Sequence, residues 1–205
     1  MPYEAGGRTG QKRRTRNALV AAARELVAAG ITPTVERAAR QAGVSRTTAY
    51  RYFPTHRSLL MAAHPETAAS TLLPADPPEA PAERLALVIQ AFTSLIVSTE
   101  AQQRTMLRLS LEADDRERAA LPLRQGRAID WIGEALEPLR GQLSEDELRQ
   151  LVLAIRATVG IEALAWLTDV ARLTRDEATN LMQWSAQALL QGALSAKPPP
   201  PAGTA

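Results

Sequence analysis

Apolar residues recur at intervals of three and four along most of the chain, and this periodicity predicts helices. The first predicted helix runs from Lys12 to Ala29 and ends at Gly30, because glycine commonly terminates helices. Its inner face consists of five apolar residues: Leu19, Ala22, Ala23, Leu26 and Val27. Residues 1–11 are rich in glycine and polar groups, so we expect them to form a disordered arm.

Three short helices are predicted between residues 34 and 63. Thr34, Ser45 and Thr55 are favourable N-caps for the second, third and fourth helices of the chain. Gly43 allows a tight turn between the second and third helices, and Pro54 ends the third, which runs from Arg46 to Phe53. Residues 12–63 are therefore expected to form one small helical domain.

A second helical domain is predicted over residues 64–195. Residues 65–73 can resume a helix after His64, with Pro65 at its first position, and the four prolines within 74–81 indicate a linker. Further helices are predicted at about 82–99, 101–112, 119–139, 145–171 and 175–195. Few segments alternate between apolar and polar residues, so the predicted fold is all-α, with a disordered proline-rich tail at 196–205.

The composition narrows the class of protein. A hydrophobic fraction of 45% in 205 residues is enough for a packed core. The absence of cysteine excludes disulfides, thiolate metal sites and a cysteine nucleophile, and we expect neither a metal nor a cofactor. No signal-peptide core and no apolar run of roughly 20 residues is visible, so we expect a cytoplasmic protein without a membrane partner.

Charge is distributed unevenly along the chain. Residues 1–63 contain eleven Lys and Arg against three acidic residues, a net charge of +8, which leaves −6 for the remainder. A strongly basic segment joined to an acidic body predicts a polyanionic partner for the basic segment.

The two short helices around Gly43 match the helix-turn-helix pattern, in which the second helix enters the major groove of DNA. Arginine can donate two hydrogen bonds to guanine, threonine can contact base edges, and tyrosine can reach phosphates. The candidate DNA contacts on the third helix and its cap are Ser45, Arg46, Thr47, Thr48, Tyr50, Arg51 and Tyr52. Thr34 begins the second helix and is a candidate phosphate contact, while Arg13 and Arg14 in the arm can follow the DNA backbone or enter a minor groove.

The stretch TPTVERAARQAGVSRTTAYRYFPTHRSLL, Thr32–Leu60, resembles the DNA-binding signature of the tetracycline-repressor (TetR) family. The strongest part is AGVSR at 42–46 followed by AYRYF at 49–53, and segment 160–169 resembles the variable C-terminal domain of some members. The resemblance implies that Thr34, Tyr50 and His56 contact phosphates, while Arg46, Thr47, Thr48 and Tyr52 face base edges. His56 stands where the family usually has lysine, which predicts a weaker or pH-dependent phosphate contact. Ala38 replaces a larger aliphatic residue, which predicts local repacking.

The resemblance also implies a homodimeric repressor that binds a palindromic operator and is released by a small-molecule effector. The candidate effector-pocket residues are polar or large residues within apolar runs: Met106, Arg108, Trp131, Arg156 and Glu162. The candidate dimer-interface residues lie on the two last predicted helices: Leu164, Leu181, Trp184 and Ala188. The alternative for the pocket residues is a paired or snorkelling side chain, and the alternative for the interface residues is a place in the core of a single chain.

Two other classes of function stay open. An enzyme is disfavoured because the two histidines, His56 and His64, lie outside the acidic domain. The sequence also contains no phosphate loop and no metalloprotease motif. A carboxylate-only hydrolase is nevertheless compatible with the composition. The second alternative is a helical interaction protein that uses its basic N-terminal patch on an acidic partner or a membrane surface.

Overall fold

The computed structural model describes residues 4–63, 69–112, 126–196 and 198. Within these ranges the chain is helical and forms no β-strand, apart from an isolated bridge between Arg140 and Leu143. The all-α prediction is confirmed. The chain divides into two compact units, which we call the first unit (residues 1–67 and 99–125) and the second unit (residues 68–98 and 126–205).

The first unit consists of four N-terminal helices and one that comes later in the chain. In chain order these are α1 (Glu4–Ala28), α2 (Val35–Gln41), α3 (Arg46–Tyr52), α4 (His56–Ala63) and α6 (Glu100–Glu112). α1 is the helix against which α2, α4 and α6 pack. The buried residues between them are mostly small, which allows close approach of the backbones: Leu19, Ala22, Ala23, Val35, Ala38, Ala39, Ala49, Phe53, Leu59 and Ala63.

α6 is joined to the N-terminal helices by apolar and polar contacts. Met106 packs with Val27 and Leu60. The carbonyl of Ala63, at the end of α4, accepts hydrogen bonds from Gln102 Nε2 at 2.6 Å and Arg24 Nε at 3.1 Å. The last carbonyls of a helix have no partner within it, so these two side chains satisfy an acceptor that would otherwise be left open.

The second unit is a helical bundle. Its helices are α5 (Pro81–Ser98), α7 (Arg127–Ala135), α8 (Glu145–Thr158), α9 (Ile161–Ala165) and α10 (Arg175–Ser195), with a 3-10 turn at Glu137–Leu139 and a π-helical turn at Trp166–Val170. Capping boxes begin α8 and α10, where the side chains of Ser144 and Thr174 accept from the backbone of Glu147 and Glu177.

Aromatic packing marks the centre of this bundle. The rings of Phe92 on α5 and Trp131 on α7 meet edge to face, 5.8 Å apart. Trp131 Nε1 donates to the carbonyl of Ser70 at 3.3 Å, so the buried indole has its polar atom satisfied.

The structure differs from the predictions at four places. α1 begins at Glu4, inside the segment expected to be a disordered arm, because a carboxylate favours a helix N-terminus and Gln11 and Lys12 are good helix formers. The predicted helix at 145–171 is interrupted at Val159 and Gly160. Residues 69–73 are not helical, and 64–68 lie outside the described residues. The second domain is not the continuous segment 64–195, because residues 99–125 group with the N-terminal helices.

Other predicted segments fall partly outside the described residues. Of the predicted helix at 119–139, residues 119–125 are not described, and the described part is α7 with the 3-10 turn. Most of the predicted disordered tail, residue 197 and residues 199–205, is likewise not described.

Two segments, Pro81–Ser98 and Glu145–Val170, are long and apolar enough to cross a membrane by length and composition alone. Each has one face buried in the core of the second unit, as core helices of bundles commonly have. The second segment is also broken at Gly160 and carries the Arg156–Glu162 ion pair. We therefore assign both to the protein core.

Candidate nucleic-acid interface

The turn between α2 and α3 depends on Gly43. Its φ of +64° lies in the left-handed region, which glycine adopts without a steric penalty. The N–H of Val44 donates to the carbonyl of Ala39 at 2.9 Å, which closes the turn. α3 therefore leaves the turn in a direction fixed by the backbone.

α3 is held by its cap and by its inner face. Ser45 Oγ accepts from the N–H of Thr48 at 3.2 Å and donates to Thr48 Oγ1 at 2.8 Å. Ala49 is fully buried, and Phe53, directly after the helix, is nearly so. The guanidinium of Arg16 on α1 lies 5.4 Å from the centre of the Phe53 ring. These contacts leave the opposite face of α3 as a rigid surface.

That outer face carries the residues predicted to contact DNA. The side chain of Arg46 is 73% exposed. Ser45, Thr47 and Arg51 are exposed, while Thr48, Tyr50 and Tyr52 are half-buried. One short helix thus presents two arginines, two threonines and two tyrosines. Tyr50 and Tyr52 also pack against the core, so each has a structural contact in addition to its predicted one.

Glu36 on α2 is part of this surface, although the sequence did not single it out. Its Oε1 accepts the hydroxyl of Tyr50 at 2.5 Å and lies 3.2 Å from Nη2 of Arg46. The Arg46 guanidinium also lies 5.7 Å from the centre of the Tyr50 ring. Glu36, Arg46 and Tyr50 form a three-residue group that we call the Glu36 cluster. An acidic residue in a segment of net charge +8 was the only signal in the sequence.

The electrostatics of the Glu36 cluster keep its carboxylate ionised. The hydrogen bond from the Tyr50 hydroxyl is the main reason that the pKa of Glu36 is lowered to about 2, and Arg46 contributes in the same direction. The same bond to Glu36 raises the pKa of Tyr50, so the phenol keeps its proton. At physiological pH the cluster therefore contains an ionised carboxylate that accepts the Tyr50 hydroxyl and forms an ion pair with Arg46.

Thr34 and His56 lie close together at the start of α2. Thr34 caps the helix, with its hydroxyl oxygen accepting from the N–H of Arg37 at 3.1 Å. His56 Nδ1 accepts from the N–H of Val35 at 3.2 Å, so this nitrogen carries no proton. The proton of a neutral His56 is then on Nε2, which can donate to a phosphate. The bond to Val35 fixes the position of the His56 ring at the start of α2, and its phosphate contact stays a prediction.

Arg13 and Arg14 have exposed side chains. They lie on α1, not in a disordered arm, so their positions are set by a helix.

These features agree with comparisons to known proteins. Residues 18–63 match the family model described as bacterial regulatory proteins, tetR family. The N-terminal domain is therefore of the TetR type. A search of curated protein sequences found no match. The fold is similar to the crystal structure of a TetR transcriptional regulator from Rhodococcus sp. RHA1, with a TM-score of 0.56 and 20% identity over 88% of this chain and 98% of that one.

A TetR-type N-terminal domain implies DNA binding and transcriptional regulation. The position of Gly43, the cap at Ser45 and the exposed face of α3 all fall within the matched segment. The match ends at residue 63 and covers no part of the second unit.

The five residues predicted to line an effector pocket do not come together in one unit. Met106 is buried in the core of the first unit, and Arg108 on the same helix donates to Thr32 Oγ1 at 2.9 Å. Trp131 is a core residue of the second unit. Met106 and Trp131 are therefore packing residues. Large side chains in apolar surroundings occur in a pocket and in a core alike, so the sequence pattern could not distinguish a pocket residue from a core residue.

Arg156 and Glu162 form an ion pair at 3.3 Å that bridges the break between α8 and α9. Arg156 also donates to the carbonyl of Val159 at 3.0 Å, and its guanidinium lies 5.9 Å from the centre of the Phe92 ring. A Cβ on Gly160 would lie 2.6 Å from Glu162 Oε2, so glycine leaves room for the pair.

The predicted dimer-interface residues divide between core and surface. Leu164 is fully buried within its own chain, so it belongs to the core and the prediction for it is wrong. Leu181, Trp184 and Ala188 on α10 are exposed. Trp166 and Val170, which the prediction missed, are also exposed, at 59% and 64%.

Two of these exposed residues, Trp166 and Leu181, line a groove in the second unit. The groove has a volume of about 370 Å³ and is lined by residues of α8, α9, the π-helical turn and α10, among them Glu162, Trp166, Leu181 and Met182. We call the exposed set Trp166, Val170, Leu181 and Trp184 the apolar face. Large exposed apolar side chains grouped on adjoining elements are typical of surfaces that bind another protein.

Proposed function

We propose that the chain is a sequence-specific transcriptional repressor that binds a palindromic operator as a homodimer, in the cytoplasm. The observation that carries the proposal is the outer face of α3, where exposed Arg46, Thr47 and Arg51 project from a helix fixed by Gly43, Ser45 and Ala49. Arginine and threonine on such a helix can contact base edges in the major groove.

Phosphate contacts are proposed for the residues at the start of α2 and for the exposed arginines of α1. Thr34 and His56 lie side by side there, and His56 Nε2 is available as a donor. Arg13 and Arg14 add positive charge, which raises affinity for any sequence and makes binding depend on salt. These contacts position the protein, whereas α3 supplies the preference for a sequence.

The homodimer is proposed to form through the apolar face. Trp166, Val170 and Trp184 are each more than half exposed in the single chain. A two-fold axis beside α10 would place each tryptophan against the same surface of a second copy, as an isologous interface requires. The two α3 helices would then contact two half-sites, roughly 34–36 Å apart along the DNA.

We further propose that a small-molecule effector releases the protein from its operator. The resemblance to the TetR family supports this part of the proposal. The half-buried Arg156–Glu162 pair supports it as well, because it places polar groups within the second unit. A compound that raises the melting temperature and weakens operator binding would support this part. A compound library that changes neither the melting temperature nor operator affinity would contradict it.

Selection of bound duplexes from a randomised DNA pool tests the proposal as a whole. We expect enrichment of an inverted repeat, and we expect Thr47→Ala to change the enriched sequence. Arg149→Ala, which removes an exposed charge from α8, serves as the matched control and should select the same repeat as the original chain. Recovery of unenriched DNA would contradict sequence-specific binding.

A further inference from the structure

Glu36 poses a problem for a surface that meets DNA. Its carboxylate lies at the outer face of α3, 3.2 Å from Nη2 of Arg46, and it is ionised because its pKa is about 2. A negative charge at a surface that approaches phosphates is unfavourable unless the carboxylate has a partner on the DNA. Neutral residues are available that would avoid this cost, so the presence of Glu36 calls for a physical reason.

The arrangement of hydrogen-bond donors and acceptors in the Arg46–Glu36 pair provides a reason for the presence of Glu36. In the major groove, guanine offers the acceptors N7 and O6, and the paired cytosine offers its N4 amino group as a donor. Arg46 carries donors and Glu36 carries acceptors, and the ion pair holds them side by side. O6 of guanine and N4 of its cytosine are also neighbours, since they share a base-pairing hydrogen bond.

We propose that Arg46 and Glu36 read one G·C base pair together, with Arg46 donating to N7 and O6 of guanine and Glu36 accepting from N4 of the paired cytosine. This inference rests on the proposed function, because it requires α3 to enter the major groove. Tyr50 acts as a positioning residue, since its hydroxyl holds Glu36 Oε1 at 2.5 Å.

The same arrangement rejects the other base pairs. At an A·T pair, the carboxylate of Glu36 would face O4 of thymine, and two acceptors in contact repel each other. At an inverted pair, C·G, the carboxylate would face O6 of guanine. Arg46 alone would only prefer guanine. Arg46 and Glu36 together also require a hydrogen-bond donor on the base of the opposite strand.

Chemically altered duplexes test the proposal. The duplex selected from a randomised pool is synthesised with 2-pyrimidinone, which lacks the 4-amino group, in place of cytosine at each G·C pair in turn. At the pair that Arg46 reads, the original chain should lose about tenfold in affinity. Glu36→Ala has no carboxylate to lose a partner, so its loss between the two duplexes should be about tenfold smaller than that of the original chain.

Two further variants complete the design. Glu36→Gln keeps an acceptor and adds a donor. Removal of the 4-amino group should therefore cost it less affinity than it costs the original chain, and it should accept an A·T pair at that position. Glu25→Ala removes a carboxylate from the same unit, where Glu25 accepts from Gln41 Nε2, and it should keep the full tenfold loss. The weakened pairing of 2-pyrimidinone with guanine affects every variant equally and cancels in the comparison.

The outcomes separate the inference from the proposed function. If no duplex is enriched, the proposed function fails and this inference fails with it. If a duplex is enriched but removal of the amino group costs the original chain and Glu36→Ala the same, only the joint reading is overturned. An enriched duplex in which Arg46→Ala relaxes no G·C position overturns the joint reading as well.

Discussion

Trp184→Ala should dissociate the proposed homodimer. Trp184 is 67% exposed in the single chain, which corresponds to roughly 150 Å² of indole surface. Burial of half of this area in a dimer, at about 25 cal/mol per Å², gives about 2 kcal/mol for each copy. An isologous interface contains the residue twice, so the loss is about 4 kcal/mol, or roughly a thousandfold in the dimer dissociation constant.

Sedimentation equilibrium over a wide range of protein concentrations measures this constant. Leu111→Ala is the matched control, because Leu111 is 70% exposed but lies on α6 of the first unit. Circular dichroism should show the same helix content for all three proteins, since both side chains lie at the surface. A Trp184→Ala protein that dimerises as tightly as the original, or a control that dissociates equally, would refute the placement of the interface.

Four further predictions concern the DNA-binding surface. Arg46→Ala should cost about 1–3 kcal/mol in operator affinity and relax the preference at one base pair, measured by competition between duplexes; an equal loss on random DNA would contradict base contact. Arg13→Ala combined with Arg14→Ala should flatten the slope of log affinity against log salt by about 1 to 2, and an unchanged slope would mean that neither arginine meets a phosphate. Gly43→Val should lower the unfolding free energy by about 1–2 kcal/mol, because the φ of +64° is strained for a β-branched residue; chemical denaturation checks this, and an unchanged midpoint would contradict the turn geometry. Because the pKa of Glu36 is lowered from 4.5 to about 2, its hydrogen bond with Tyr50 should contribute stability above pH 4.5 that is lost as the pH falls towards 2, and an NMR titration that finds a pKa near 4.5 would contradict the cluster.

The DNA-binding helices could be predicted because their boundaries are set locally. Thr34 and Ser45 cap helices that begin at the next residue, and Gly43 takes the left-handed conformation that the turn requires. Pro54 follows the end of the third helix within two residues. In each case the interaction that sets the helix boundary joins residues only a few positions apart, so it can be recognised in the sequence.

The remaining features depend on contacts between residues distant in the chain. The Glu36 cluster joins residues on α2 and α3 through the angle of the turn, which no spacing in the sequence specifies. The grouping of α6 with the N-terminal helices depends on Gln102 reaching Ala63, 39 residues away. The break at Gly160 was missed because apolar periodicity continues across it, although the glycine itself was visible.

The central claim is that the outer face of α3 enters the major groove, and a site-specific cross-link tests it most directly. The chain contains no cysteine, so Thr47→Cys introduces a single thiol on that face. A duplex that carries a thiol tether in its major groove should form a disulfide with this variant in each half-site, whereas Leu111→Cys should form none. Specific binding by the Thr47→Cys variant without any major-groove cross-link would contradict the account.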